Sequence, residues 1–202
     1  MKSPGITIRP VLFMDGSHQL NEIFLDDVRV PARNRVGKEN DGWRVSNSTS
    51  NFERSMVATY AFLRRQLDEL TKLCKESKWG GEVLAEKPLV RDKLAELAIE
   101  IDVGNAFCYL VVWRQSKGDF KEAGLFAATV KVVSSELIQQ FFHTACEILG
   151  MYGQVDDSRW APLQGRFEKG YQVYQALTIG GGTSEVMRNM IASMALGLPR
   201  SW

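Results

Sequence analysis

Two short stretches concentrate the residue types that could do chemistry. The first is Gly180-Gly181-Gly182-Thr183-Ser184-Glu185, three glycines leading directly into a helix. Glycine lets backbone approach a ligand closely, and the N–H groups at a helix start favour negative charge or a carbonyl oxygen. Thr183 and Glu185 equally suit plain N-capping and a favourable helix dipole. The second stretch is Asn51-Phe52-Glu53-Arg54, which periodicity places inside a long helix. Neighbours on a helix diverge by about 100°, so Glu53 and Arg54 meet different surroundings. With Phe52, Met56 and Val57 close by, at least one of the two must approach apolar surface. A carboxylate there would have its pKa raised by desolvation, the condition for a general base working near neutrality. On the residues alone, a solvated ion pair with another helix is the simpler reading.

Other chemistries find little support. There is no Ser-His-Asp set and no phosphate-binding P-loop, and the only histidines are His18 and His143. His143 lies in a dense apolar helix and reads as a satisfied core or interface residue; His18 lies in a turn and reads as solvated. Cys74, Cys108 and Cys146 are odd in number and widely spaced, without CxxC or a histidine in ligand register. They are expected to be small buried side chains in a reducing cytoplasm, with no metal site. A formal net charge of +1 pushes the chain towards neither nucleic acid nor an anionic membrane surface. Apolar stretches such as Phe107 to Trp113 are too short to span a bilayer, and no charged-then-apolar leader opens the sequence.

The elements that must position these residues change character near Gly37. Before it, Ile6 to Arg9 and Asn21 to Val30 are short and β-branched or aromatic, with turn chemistry at Asp15-Gly16-Ser17 between them. Two strands alone are marginal in water, so something else must cover them. Beyond Gly37, Met56, Val57, Tyr60, Leu63, Leu67, Leu70 and Leu73 recur at three and four, which predicts a first helix from Trp43 to about Lys75. Gly80-Gly81 breaks the pattern, and Pro88 opens a second helix carrying Leu94, Leu97, Ala98, Ile101, Cys108, Val111 and Val112. A third is expected from about Phe120 to Leu149, ending at Gly150. Shorter ones follow at about Glu168 to Ile179 and Thr183 to Leu196. The expected fold is mainly α: an antiparallel up-and-down helical bundle over residues 38–202, preceded by a two-stranded β remnant and linker over residues 1–37.

Several segments, in order, resemble the acyl-CoA dehydrogenase family. Asn21-Glu22-Ile23-Phe24-Leu25-Asp26-Asp27-Val28-Arg29-Val30-Pro31 is similar to the end of the family's middle β-domain. Val36-Gly37-Lys38-Glu39-Asn40-Asp41-Gly42-Trp43 is similar to its linker. The chain closes with Gly181-Gly182-Thr183-Ser184-Glu185 and Leu196-Gly197-Leu198-Pro199-Arg200, as family members do. The resemblance covers nearly the whole chain. It implies that the chain starts inside the β-domain, and that a separate polypeptide or a missing portion holds most of the flavin ring.

The resemblance further implies α,β-dehydrogenation of an acyl-CoA thioester with FAD as cofactor and electron-transfer flavoprotein as acceptor. A carboxylate takes the α-proton while the β-hydrogen leaves as hydride to the flavin, and the thioester carbonyl is polarised as enolate character develops. Many members place the base just before Gly-Thr in the closing motif. That position is Gly181 here, whose backbone still resembles one of the carbonyl donors. Another branch places the base on the first long C-terminal helix in a Glu-Arg pair, which Glu53-Arg54 matches. The resemblance thus makes Glu53 the base, with Asn51, Arg54 and Gly182 towards the substrate and Thr183, Ser184, Glu185 and Gly150 towards the cofactor.

The flavin-contacting positions depart from the family pattern. An Arg that binds a neighbour's FAD diphosphate aligns near Ser77, and the usual Gln-x-x-Gly-Gly reads Glu147-Ile148-Leu149-Gly150-Met151. Losing a guanidinium removes a charge-assisted fork that Ser cannot replace. The stretches Asp92 to Glu100 and Leu149 to Gln154 are similar to a bacterial subgroup that forms heterotetramers on bulky CoA esters such as steroid side chains. One subunit there keeps the base and the other the Arg. The implied partners are an acyl-CoA and a like or unlike acyl-CoA dehydrogenase subunit, in the cytoplasm. The alternative is a catalytically silent bundle serving assembly, on the losses at Gly181, Ser77 and Met151.

Overall fold

The computed structural model describes residues 2–53 and 56–199. They divide into two compact units, within 1–50 and 51–202. In the first, β1 (Ile6–Leu12) pairs antiparallel with β2 (His18–Leu25), Ile6 opposite Leu25 and Val11 opposite Leu20, with the register shifting between Val11 and Leu12. The turn between them forms where its residues dictate: the Ser17 N–H donates to Asp15 Oδ1 at 2.9 Å, an Asx turn. His18 opens β2, exposed, its Nε2 2.8 Å from Asn21 Oδ1. Ile23, Phe24 and Leu25 remain well exposed, so the hairpin leaves apolar surface uncovered.

α1 (Gly42–Glu53) begins after Asp41, whose carboxylate takes the Arg44 guanidinium, Nε to Oδ1 2.9 Å; that bond holds its carboxyl below the usual range. The single helix expected from Trp43 to Lys75 is two. α1 ends at Glu53 and α2 (Val57–Glu76) starts afresh from Met56, whose backbone is left-handed at φ 54°, ψ 15°. That conformation costs a non-glycine residue on the order of 1–2 kcal/mol, and it breaks the helix with neither Gly nor Pro to announce the break.

α2, α3 (Pro88–Ser116) and α4 (Phe120–Leu149) run up and down as an antiparallel bundle. Pro88 sits in the first turn of α3, and Asp119 caps α4 by accepting the Glu122 N–H at 3.3 Å. The Gly80-Gly81 break is a small hairpin, β3 (Lys78–Trp79) with β4 (Glu82–Val83). α4 is the central post, buried on most of its circumference, including Ile138, Phe141, Phe142, Ala145 and Leu149. Against it pack Tyr60, Leu63 and Leu70 of α2, Leu97, Ile101 and Cys108 of α3, and Phe167 of α5 (Arg166–Val173). Close approach at two crossings needs glycine for lack of a side chain. A Cβ at Gly104 would lie 2.1 Å from the Tyr60 ring, and one at Gly170 2.2 Å from the Phe142 ring.

The late helices are shorter than their periodicity predicts. α5 tightens at Tyr174 into a 3-10 segment to Thr178, and α6 (Ser184–Met190) widens into a π turn over Ile191–Ala195. Cys74 and Cys108 are buried and Cys146 partly so. Burial pushes all three thiols up to about 11, the Glu168 carboxylate adding to the effect at Cys146. No helix among the described residues is long and apolar enough to cross a membrane.

Candidate functional site

The glycine turn is built from α4 outward. α5 and its 3-10 extension lie against α4, where Gln139 Nε2 donates to the Gln175 carbonyl at 3.2 Å and to Thr178 Oγ1 at 3.1 Å. The chain then closes on itself, the Gly180 N–H reaching the Ala176 carbonyl at 2.8 Å. Gly181 (φ +71°) and Gly182 (φ +104°) turn it through backbone that side chains disfavour. Thr183 is extended and caps α6, its Oγ1 accepting the Val186 N–H at 3.2 Å. The expected capping is therefore present, directly after two glycines with positive φ. A Cβ built at Gly181 meets nothing within 4 Å, so this face of the turn is open.

Two polar groups distinguish the turn from a plain cap. Ser184 is 5% exposed, and its Oγ has no partner among the described residues. A buried hydroxyl left unpaired costs about 1–3 kcal/mol unless a ligand or another chain completes it. Glu185 is exposed, and its carboxyl is held below the usual range by its own backbone N–H and the Thr183 hydroxyl, with Arg188 and Lys131 adding positive charge. With its pKa lowered, it is a weaker base than an ordinary carboxylate.

Gly181, Gly182, Thr183, Ser184 and Glu185 thus share one short turn and helix start. The other expected residues stand elsewhere. Glu53 is the last residue of α1, and its side chain is exposed among the described residues. Asn51 lies on α1; its side chain, and Arg54 entirely, lie outside the described residues. Gly150 ends α4 at φ 56°, ψ −132°.

Gly150 opens on a cleft of about 390 Å³ lined also by His143, Cys146, Glu147, Glu168 and Tyr171. Its two carboxylates, Glu147 and Glu168, stand beside the neutral polar groups of Gln154 and Tyr171. Glu147 bonds Lys93 and lies 3.4 Å from His143 Nε2; these neighbours, Lys93 first, hold its carboxyl low. Glu168 bonds Gln172 through one oxygen and leaves the other buried without a partner among the described residues. Of the core and interface places expected for His143, the core is excluded, since its side chain is 59% exposed. α4 turns its apolar side to α2 and α3, leaving the imidazole beside Glu147.

Sequence reasoning passed over Lys131. It is 3% exposed on α4, with Nζ 3.4 Å from the Thr178 carbonyl. Its signal was a helical spacing: Lys131, Ser135 and Gln139 lie at i, i+4 and i+8, with Val132, Val133, Leu137 and Ile138 between them.

The described residues thus form an antiparallel helical bundle that closes in a glycine turn at a capped helix, and the comparisons agree with that architecture. Residues 40–196 match the family model "Acyl-CoA dehydrogenase, C-terminal domain". The chain belongs to the acyl-CoA dehydrogenase family. It is 31% identical over 199 residues to acyl-CoA dehydrogenase FadE29 of Mycobacterium tuberculosis, covering 98% of this chain and 50% of that protein. It superposes on a chain of the ChsE4-ChsE5 complex from M. tuberculosis with a TM-score of 0.84 and 32% identity, covering 99% of this chain and 52% of that one. A chain of the Tcur3481-Tcur3483 steroid ACAD gives 0.83 at 26% identity, over 98% and 50% of the two chains. The chain spans about half the length of the curated relatives it matches.

Proposed function

We propose that this chain is the base-bearing part of a heteromeric, FAD-dependent acyl-CoA dehydrogenase that desaturates a bulky acyl-CoA thioester between Cα and Cβ. The observation that carries this reading is the glycine at position 181, where many family members hold their base, with open space beside it and a Glu-Arg pair at Glu53-Arg54. A base relocated to Glu53 accounts for both.

In this scheme the Glu53 carboxylate takes the α-proton, with desolvation supplied by substrate and partner rather than by this chain. The backbone of Gly181 and Gly182 faces the thioester carbonyl, where negative charge develops. Asn51 and Arg54 approach the CoA portion. FAD, when bound, supplies the two-electron acceptor for the β-hydride, and electron-transfer flavoprotein would reoxidise it.

The residues present fit the cofactor at one place and not at another. Thr183, Ser184 and Glu185 offer polar atoms at the turn, including the buried Ser184 hydroxyl, which has no partner among the described residues. The cleft at Gly150 does not fit a diphosphate: Glu147 and Glu168 line it, Lys93 is engaged by Glu147, and the place of an arginine is taken by Ser77. The anionic end of the cofactor is therefore assigned to a partner subunit.

A partner also accounts for α3. Its outer face carries Ile99, Val103, Phe107 and Trp113, 41–63% exposed, opposite the buried stripe of Leu97, Ile101 and Cys108. A long helix that is apolar on both faces is buried on both in its working state. Two relatives of known structure are titled as two-protein assemblies, and one is titled a steroid enzyme. Those two assemblies support an unlike subunit and a bulky substrate; the reading places the enzyme in the cytoplasm.

The test is co-production with a chain bearing the family's N-terminal and middle domains, followed by anaerobic titration with acyl-CoA esters of increasing bulk. A yellow complex that bleaches and yields the enoyl-CoA supports the reading. A complex that forms but neither holds flavin nor bleaches with any ester leaves the silent assembly subunit as the function.

A further inference from the structure

Lys131 is a buried cation that the proposed chemistry does not use. It is 3% exposed, in a helix whose neighbouring positions Val130, Val132 and Ser134 are also buried. Removing an ammonium from water is costly unless partners offset it, so a lysine kept in such a place is held by its surroundings. Its Nζ lies 3.4 Å from the Thr178 carbonyl, two residues before the glycine turn, and its charge acts on the Glu185 carboxylate just beyond it. Two turns along α4, Gln139 grips the same segment through Gln175 and Thr178, while Thr178 Oγ1 donates to the Gln175 carbonyl at 3.0 Å. The 3-10 segment Tyr174–Thr178 is therefore fastened to α4 by two polar side chains, and the glycine turn continues directly from it.

We propose that Lys131 is a positioning residue of the thioester site: from beneath the Thr178 carbonyl it fixes the path of the Gly180–Gly182 turn and sets a buried positive charge behind the place where the enolate oxygen develops. This rests on the dehydrogenase reading above. Two effects follow from one side chain. The tether keeps the turn's backbone aimed at the carbonyl oxygen, and the fixed charge polarises that oxygen without reorganising as the reaction proceeds. Both act more strongly on the transition state than on the bound ester, so the loss on removal belongs to kcat rather than KM. Gln139 supplies the tether alone, without the charge.

The test uses the assembled flavin complex with Lys131→Met, Lys131→Arg and Gln139→Met. The first readout is steady-state kinetics. The second is the absorption of a bound chromophoric arylacryloyl-CoA, whose band moves to the red as its carbonyl is polarised. Lys131→Met is expected to lower kcat roughly 10- to 100-fold with KM changed less than about threefold, and to shrink the red shift. Lys131→Arg should restore much of both. Should Lys131→Met fail to assemble, Gln139→Met carries the test of the tether, with a smaller fall in kcat and a smaller loss of red shift. A wild-type red shift kept in full by Lys131→Met, or by Gln139→Met where Lys131→Met does not assemble, overturns the role of Lys131. A wild-type complex that neither turns over nor shifts the chromophore overturns the dehydrogenase reading itself, and this inference with it.

Discussion

Adding one methyl group at Gly104 tests whether α2 and α3 cross as described. The Cβ would lie 2.1 Å from Tyr60 Cε1 and 2.3 Å from its Cζ and Oη, where carbon atoms in contact sit about 3.5 Å apart. The ring is 1% exposed and wedged in the core, so it cannot swing away. Overpacking of this kind costs about 1–3 kcal/mol, and more where nothing yields. Against it stands the helix-propensity gain of Gly→Ala, about 0.8–1.0 kcal/mol. Gly104→Ala should therefore destabilise by about 1–2 kcal/mol, lowering Tm by roughly 2–8 °C for a domain of this size. Gly124→Ala on α4 is the matched control, since its Cβ meets nothing within 4 Å and only the propensity gain remains. Urea denaturation of both variants in one buffer gives the difference directly. If Gly104→Ala proves as stable as Gly124→Ala, the close crossing at Tyr60 is wrong.

Two further outcomes are expected. Placing a carboxylate back at the vacant position, Gly181→Glu in a Glu53→Gln background, should restore turnover at least about tenfold over Glu53→Gln alone. The space beside Gly181 is open, and its φ of +71° costs a glutamate on the order of 1–2 kcal/mol; a double variant that folds, binds flavin and stays at the single-variant rate argues against a relocated base. The cysteines set an alkaline limit. Each thiol is raised from 9.0 to about 11 by burial, so the folded state keeps it neutral while the unfolded chain ionises. Their contribution is complete below pH 9 and is lost between about pH 9 and 11. Urea midpoints across that window should fall, and the fall should shrink in Cys74→Ala and Cys108→Ala.

Much of this architecture could be read from the residues because local chemistry announced it. Pro88 starts α3, Gly150 ends α4, Asp15-Gly16-Ser17 turns the hairpin and Thr183 caps α6, each where residue type demands. The break at Met56 could not be read, because the apolar spacing of three and four runs on through it. The shortened late helices escaped for a related reason: a 3-10 segment at Tyr174 and a π turn at Ile191 keep nearly helical periodicity while changing the hydrogen-bond ladder. At the site, the contiguous turn residues were legible and their burial was not. Ser184 and Lys131 are enclosed by elements far along the chain, and His143 is exposed in a helix whose composition suggested a core.

The account's central claim is that proton abstraction belongs to Glu53 rather than to the glycine turn. The direct measurement is anaerobic flavin bleaching by an acyl-CoA ester in the assembled complex carrying Glu53→Gln. Flavin content should equal that of wild type, while the bleaching rate falls by about 10²- to 10⁴-fold. An unchanged bleaching rate at full flavin content would contradict the claim and send the search for the base to another residue or to the partner subunit.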